Sequence, residues 1–399
     1  MSPSFARIAV VLGLLSAVGP FAIDMYIPAL PTIVADLHTT TAAAQLTLTV
    51  FFIAFGICQL IYGPVSDMVG RKPPLYFGLI CFLAGSVGCA LAPSIGVLIA
   101  FRAVQGIGAS AVMVIPRAVI RDLHTGVEAA RLMSMVMLVF SISPILAPLV
   151  GSALIVPFGW RAVFVAVVVA TAIALVMIVT TLPETRPAEK RVPVSLRNVF
   201  GGFGLLLRDA RFLGLTFIGG FGMCSFFAFI ASASFIYMDH FGLTPIQFSL
   251  AFAFNAIGFF IASQFSGYLG SRFGLARTVG AAVGCYAVFA LILFGVTAAG
   301  ADSFLLLAGL LSPTFAALGL VIPTSMVLAL DRHGPIAGMA SALGGTLQMV
   351  TGGLMIAIVS AFFDGTALPM ATAIAACAIL AAVLTFLTLG RETALAAAE

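Results

Sequence analysis

Charge is what this chain has least of. Only 8% of its 399 residues are Asp, Glu, Lys or Arg, where a soluble domain ordinarily carries about 25%. The four histidines fall in loops or at the ends of apolar runs, so none is placed to relay a proton at mid-membrane. The six cysteines have no paired spacing and no ligand cluster, so they read as packing residues and imply neither a disulfide framework nor a metal site. No P-loop pattern occurs, and the polar segments are too short for an ATPase domain, so an ion gradient must power any transport. No cofactor motif and no basic nucleic-acid patch is present.

What fills the chain instead is hydrocarbon. Hydrophobic residues make up 62% of it and the mean hydropathy is +1.22, which describes a polytopic membrane protein. Apolar runs predict twelve spanning helices at 8–30, 46–66, 74–92, 95–119, 131–155, 162–182, 212–237, 245–269, 278–298, 303–329, 337–362 and 369–389. The first is read as an uncleaved span, since it runs past 20 residues straight into the next. Basic residues crowd one side of these spans, from Arg7, Arg71 and Lys72 to Arg332 and Arg391, and the opposite loops offer only Arg161. That asymmetry puts both termini and the central loop in the cytoplasm.

The stretch 183–211 carries three prolines and nine charged residues, and reads as a cytoplasmic linker between bundles at 1–182 and 212–399. The halves echo each other. Gly63-Pro-Val-Ser-Asp-Met-Val-Gly70 returns in weakened form as Gly267-Tyr-Leu-Gly-Ser-Arg-Phe-Gly274, and Val114-Ile115-Pro116 as Val321-Ile322-Pro323. Six spans per half give both the same orientation, a parallel repeat of the kind that rocks in alternating access.

Asp24 is the one acidic residue inside any of these runs. A carboxylate at membrane depth costs about 2.5–3.5 kcal/mol on insertion scales, so it marks a proton or substrate site, the alternative being a head that reaches interfacial water. Arg102, in the fourth span, sits at similar depth and carries the same penalty. Either the two pair, or both face water in a cavity. Transport chemistry would make Asp24 a carboxylate whose protonation answers to its surroundings; a structural reading would make the pair a pin between spans one and four.

Three motifs resemble a known family. Gly63-Pro-Val-Ser-Asp67-Met-Val-Gly70-Arg71-Lys72-Pro-Pro-Leu75 resembles the loop signature of the major facilitator superfamily. Leu98-Ile-Ala-Phe-Arg102-Ala-Val-Gln105-Gly106-Ile-Gly108-Ala109 is similar to the fourth-span motif of its proton-coupled drug exporters. Asp24-Met-Tyr-Ile-Pro28-Ala-Leu-Pro31 resembles the bicyclomycin and chloramphenicol resistance branch, and Pro183-Glu184-Thr185 after span six fits as well. The fifth-span antiporter pattern departs from the family, with Ala147-Pro148 and Gly151-Ser152 where Gly-Pro and Gly-Gly are usual.

The resemblance implies an all-α fold of two six-helix bundles in the bacterial inner membrane. It implies a monomeric, proton-coupled efflux antiporter for lipophilic, phenicol- or bicyclomycin-like antibiotics, with Asp24 and Arg102 as coupling residues. It also implies that a gate built from Gly63, Asp67, Gly70, Arg71 and Asp122 locks the outward-facing state. On the residues alone, Gly63 and Gly70 would allow tight turning, Asp67 would cap a helix N-terminus and Arg71 would reach Asp122. Pro144, Pro148 and Gly151 share a face of span five and read as close helix packing. Candidate cavity residues are Tyr26, Phe51, Gln59, Tyr62, Phe227, Tyr237, Asn255 and Gln348. An exporter of an endogenous sugar or amino acid is the rival reading. A membrane-embedded enzyme or sensor would need a catalytic cluster or a soluble domain, and neither is present.

Overall fold

A chain in hydrocarbon has no water to satisfy its amides, so every span must close its own hydrogen bonds. The computed structural model describes residues 3–124, 126–191 and 196–395 and is helical throughout, with no strand among them. In order the helices are α1 (Pro3–Asp24), α2 (Leu30–Asp36), α3 (Thr41–Val69), α4 (Lys72–Ala90), α5 (Ile95–Leu123), α6 (Gly126–Phe158), α7 (Arg161–Thr181), α8 (Leu196–Arg208), α9 (Ala210–Ser234), α10 (Pro245–Phe273), α11 (Leu275–Ala298), α12 (Phe304–Asp331), α13 (Ala337–Ala361) and α14 (Leu368–Leu395). Twelve segments of the described residues are long and apolar enough to cross a membrane, α1 and α2 counting together as the first. The chain is therefore an all-α polytopic membrane protein.

Two compact units divide it, Met1–Leu196 and Arg197–Glu399. In the first, Leu12 and Leu15 of α1 meet Leu75 and Leu79 of α4, Ile115 and Val119 of α5, and Ile178 of α7 in one core cluster. Arg161 binds Asp36 at 2.6 Å and the Ala92 carbonyl at 3.1 Å, and the Trp160 indole also donates to Asp36. Half-exposed, that pair contributes little energy, but it fixes the ends of α2, α4 and α7 together. In the second unit, rings take the place of aliphatic ridges: Phe229 lies 5.4 Å from Phe252 and 4.9 Å from Phe315. The Tyr286 hydroxyl bonds Ser225 and the Ile374 carbonyl, tying α9, α11 and α14.

The repeat is visible in backbone geometry. Gly70 ends α3 at φ 98° and Gly274 ends α10 at φ 86°, the same left-handed turn at matched motif positions. Gly63 behaves differently from its expectation: it lies inside α3, as does Pro64, so the turn is confined to Gly70 and Arg71.

The stretch 183–211 is also more than a linker. It contains α8, in which Val199, Phe203 and Leu206 recur at helical spacing. Leu206 is fully buried, while Leu205, Leu207 and Arg208 are exposed.

Close approach governs α3 and α5. A side-chain carbon added to Gly106 would stand 2.4 Å from the Phe51 carbonyl oxygen, backbone that cannot give way. Gly106→Val should therefore abolish the monodisperse folded peak in detergent size-exclusion chromatography. Gly96→Ala, on the same helix with open space around it, should leave that peak intact and melt no lower than the parent.

Candidate functional site

The first span breaks at its acid. α1 ends on Asp24, Met25 and Tyr26 form a turn, Ile27–Ala29 form a 3-10 segment, and α2 resumes at Leu30. Pro28 and Pro31 lack amide protons, so a continuous α-helix could not be hydrogen-bonded through this region. Instead the Met25 and Tyr26 amides reach back to Phe21 and Ile23 at 3.0 and 3.2 Å. The fifth span packs hard against this break. A side-chain carbon on Gly151 of α6 would lie 2.4 Å from the Met25 carbonyl oxygen, with Pro148 buried and Pro144 half-buried on the same helix. That contact brings up Ser143, whose hydroxyl donates to the Asp24 carboxylate at 3.3 Å. Asp24 is 5% exposed.

Arg102 is fully buried one helix away. Its guanidinium lies between two rings, 4.5 Å from the centroid of Tyr26 and 4.4 Å from that of Phe51. Nη1 donates to Gln105 at 2.6 Å, Gln105 donates to Ser86 at 2.8 Å, and Ser86 donates to the Phe82 carbonyl at 2.7 Å. Nε and Nη2 have no hydrogen-bond partner. Among the described residues no carboxylate forms an ion pair with Arg102, so Asp24 and Arg102 are not the pair one alternative anticipated, and both being buried, neither are they two water-facing charges.

Magnitudes explain how the arginine is tolerated. A desolvated cation–π contact contributes about 2 kcal/mol and a charged hydrogen bond about 1.5–3 kcal/mol. Two rings and one amide oxygen thus offset an insertion penalty of about 2.5–3.5 kcal/mol. Tyr26 is held in place by its hydroxyl, 2.7 Å from Thr47. Thr47 already gives its proton to the Ala44 carbonyl, so Tyr26 is the donor. Asp24 and Tyr26 therefore flank one backbone break, the first turned to α6 and the second covering the α5 arginine.

The second unit repeats part of this design. Its first span ends in a π-helical segment, Phe235–His240, carrying Tyr237. Asn255 on α10 donates to the Tyr237 hydroxyl at 3.4 Å, as Thr47 meets Tyr26. The Asn255 carbonyl oxygen and the Ser232 and Ser234 hydroxyls are buried without partners. The acid of this segment, Asp239, lies two residues beyond Tyr237 and is exposed.

The cavity candidates thus separate. Tyr26 and Phe51 frame Arg102, and Tyr237 joins Asn255. Tyr62 belongs to the core cluster with Leu75 and Leu79 rather than to the Arg102 site. Phe227 fills the space above Gly352, Gln348 donates to the Thr216 carbonyl at 3.5 Å, and Gln59 is half-buried on α3. Thr47, Ser86, Gln105 and Ser143 were missed. Of these only Gln105 had a signal, its place within the fourth-span motif.

At the α3–α4 turn Arg71 is nearly buried and saturated. It binds Asp122 through Nε at 2.7 Å and Nη2 at 3.3 Å, Asp67 at 2.9 Å and Ser66 at 2.6 Å. Thr185 and Arg186 also reach Asp122. Asp67 does not cap a helix. That role falls to Glu184, which accepts the Arg71 and Lys72 amides at 2.9 and 3.0 Å and that of Arg186 at 2.9 Å. Gly70 is needed here twice over, for its positive φ and because a side-chain carbon would come within 2.8 Å of Glu184.

Burial pushes the Glu184 carboxyl up, but the amides of Arg186, Arg71 and Lys72 and the charge of Arg191 outweigh it and hold it below the usual range. A depressed carboxylate stabilises the fold above its unfolded pKa and loses that contribution as pH falls through the folded value. Glu184→Gln should therefore melt lower than the parent at pH 7, and the difference should shrink as pH drops below about 4. A gap that is constant with pH contradicts the assignment.

Comparison with known proteins places the whole chain in a family. The model of the Major Facilitator Superfamily matches residues 12–356. The chain is 31% identical over 381 residues to the bicyclomycin resistance protein homolog of Haemophilus influenzae, covering 92% of each. It is 30% identical over 362 residues to multidrug resistance protein D of Escherichia coli, covering 88% of each. To the chloramphenicol resistance protein of Pseudomonas aeruginosa it is 30% identical over 368 residues, 89% of this chain and 85% of the other. The crystal structure of the human organic anion transporter MFSD10 superposes with a TM-score of 0.72 at 19% identity, covering 97% of this chain and 100% of that one, a likeness of fold. The chain is a membrane transporter of the Major Facilitator Superfamily.

Proposed function

We propose that this transporter is a proton-coupled exporter of lipophilic antibacterial compounds, working by alternating access in the bacterial inner membrane with both termini in the cytoplasm. The observation that carries the reading is the division of labour at the first-span break. Arg102 is stabilised by two rings and an amide, so it does not consume Asp24 as a counter-ion. The carboxylate, held by a single hydroxyl, is left to gain and lose a proton.

In this scheme substrate arrival disturbs Tyr26, two residues from the acid, and the backbone break transmits the movement to Asp24. The unpartnered Nε and Nη2 of Arg102 suit a neutral compound bearing carbonyl or nitro oxygens. The relatives named for bicyclomycin and chloramphenicol resistance support the same class. The Arg71 network serves as the latch of one conformational state, since its four-sided engagement cannot survive much movement of α3 against α5. One charge crossing 100 mV releases about 2.3 kcal/mol, enough for about a 50-fold concentration ratio without ATP.

Inverted membrane vesicles with a pH-sensitive quench read this directly. Chloramphenicol should provoke proton release in the parent and none in Asp24→Asn, with both proteins eluting as folded peaks. Tyr26→Leu, which removes one ring from Arg102, should lose most of the response. A normal drug-driven signal in Asp24→Asn contradicts the coupling role.

A further inference from the structure

The start of α4 has an unusual property for a helix N-terminus: it exposes no amide donor. Four such groups are normally free there. Here Arg71 and Lys72 give theirs to Glu184, and Pro73 and Pro74 have none. Beside this sealed end lies a cleft of about 400 Å³ with apolar walls, formed by Ile61, Tyr62 and Val65 of α3 with Pro73, Pro74 and Phe77 of α4. Its rim faces outward, Ile61 being 55% and Phe77 59% exposed within spanning helices. The surroundings of such residues are acyl chains.

Lys72 directly precedes Pro73, one of the residues that line the cleft. Unlike its neighbour Arg71, it makes no ion pair among the described residues. Its ammonium lies 5.6 Å from the centroid of Tyr76. An apolar slot open to the bilayer, with a sealed helix end and a lysine outside any ion pair next to its lining prolines, matches one kind of molecule. We propose that this cleft holds one acyl chain of an anionic phospholipid, whose phosphate is met by Lys72. Its head would sit on the residue whose amide Glu184 caps, so occupancy would stiffen the Gly70–Arg71 turn and the Arg71 network behind it. The site is separate from Arg102 and owes nothing to the proton-coupling scheme.

Native mass spectrometry of the full chain in detergent, with phosphatidylglycerol and phosphatidylcholine of identical chains added in equal amounts, tests it. The parent should retain one phosphatidylglycerol in preference. Ile61→Trp, which fills the cleft from its exposed rim, should lose retention. Lys72→Gln should keep chain binding but lose preference about fivefold, the contribution of one lysine at an anionic surface. Undiminished retention in Ile61→Trp, an unchanged headgroup ratio in Lys72→Gln, or displacement of the lipid by chloramphenicol would each overturn the proposal, the last in favour of a drug-entry slot.

Discussion

In a medium that cannot hydrate it, a guanidinium depends on what the protein sets around it, and at Arg102 that is two aromatic faces and one amide oxygen. Most of the first unit's polar design follows from holding those three groups still. Tyr26 is tethered by Thr47, Gln105 by Ser86, and Phe51 by the near contact of its own carbonyl with Gly106. Each tether comes from a different helix, so the arginine draws α3, α4, α5 and the first-span break around itself.

The break is the point where that cage meets the acid. Because the chain turns between Asp24 and Tyr26, one short segment serves two neighbours. Gly151 lets α6 press onto it, and without that glycine Ser143 would not reach the carboxylate. A movement of this segment therefore alters the covering of Arg102 and the hydrogen bond of Asp24 together. At the far end of α3 the Arg71 network is built on the opposite principle. Two carboxylates, a hydroxyl and a capped turn surround its cation, which gives rigidity where the Arg102 cage permits adjustment.

Much of this could be read from the residues, and what could not has physical reasons. Twelve spans follow from hydropathy, since hydrocarbon thickness sets run length. Asp24, Arg102, Arg71 and Asp122 stand out because ionised groups are rare in or beside apolar runs. The partners do not stand out. Ser86, Ser143 and Thr47 are small polar residues, common in spans for packing alone, and only the fold aims them. The expected choice at Arg102, ion pair or water, omitted aromatic faces because 35 phenylalanines make any one of them unremarkable in sequence. Asp67 was expected to cap a neighbouring helix N-terminus from its place in the turn. At α4 Glu184 takes that role from more than a hundred residues away, a contact that no local pattern encodes. The second unit's Tyr237–Asn255 pair echoes Tyr26–Thr47 across positions too diverged for a motif.

The central claim is that Arg102 is stabilised without Asp24. A double-mutant cycle of thermal unfolding on Asp24→Asn, Arg102→Gln and the combined variant measures it most directly. Independent sites add to within about 0.5 kcal/mol, and that additivity is the result expected here. A coupling of about 2 kcal/mol or more between the two positions would mean that they form an ion pair, and would contradict the account.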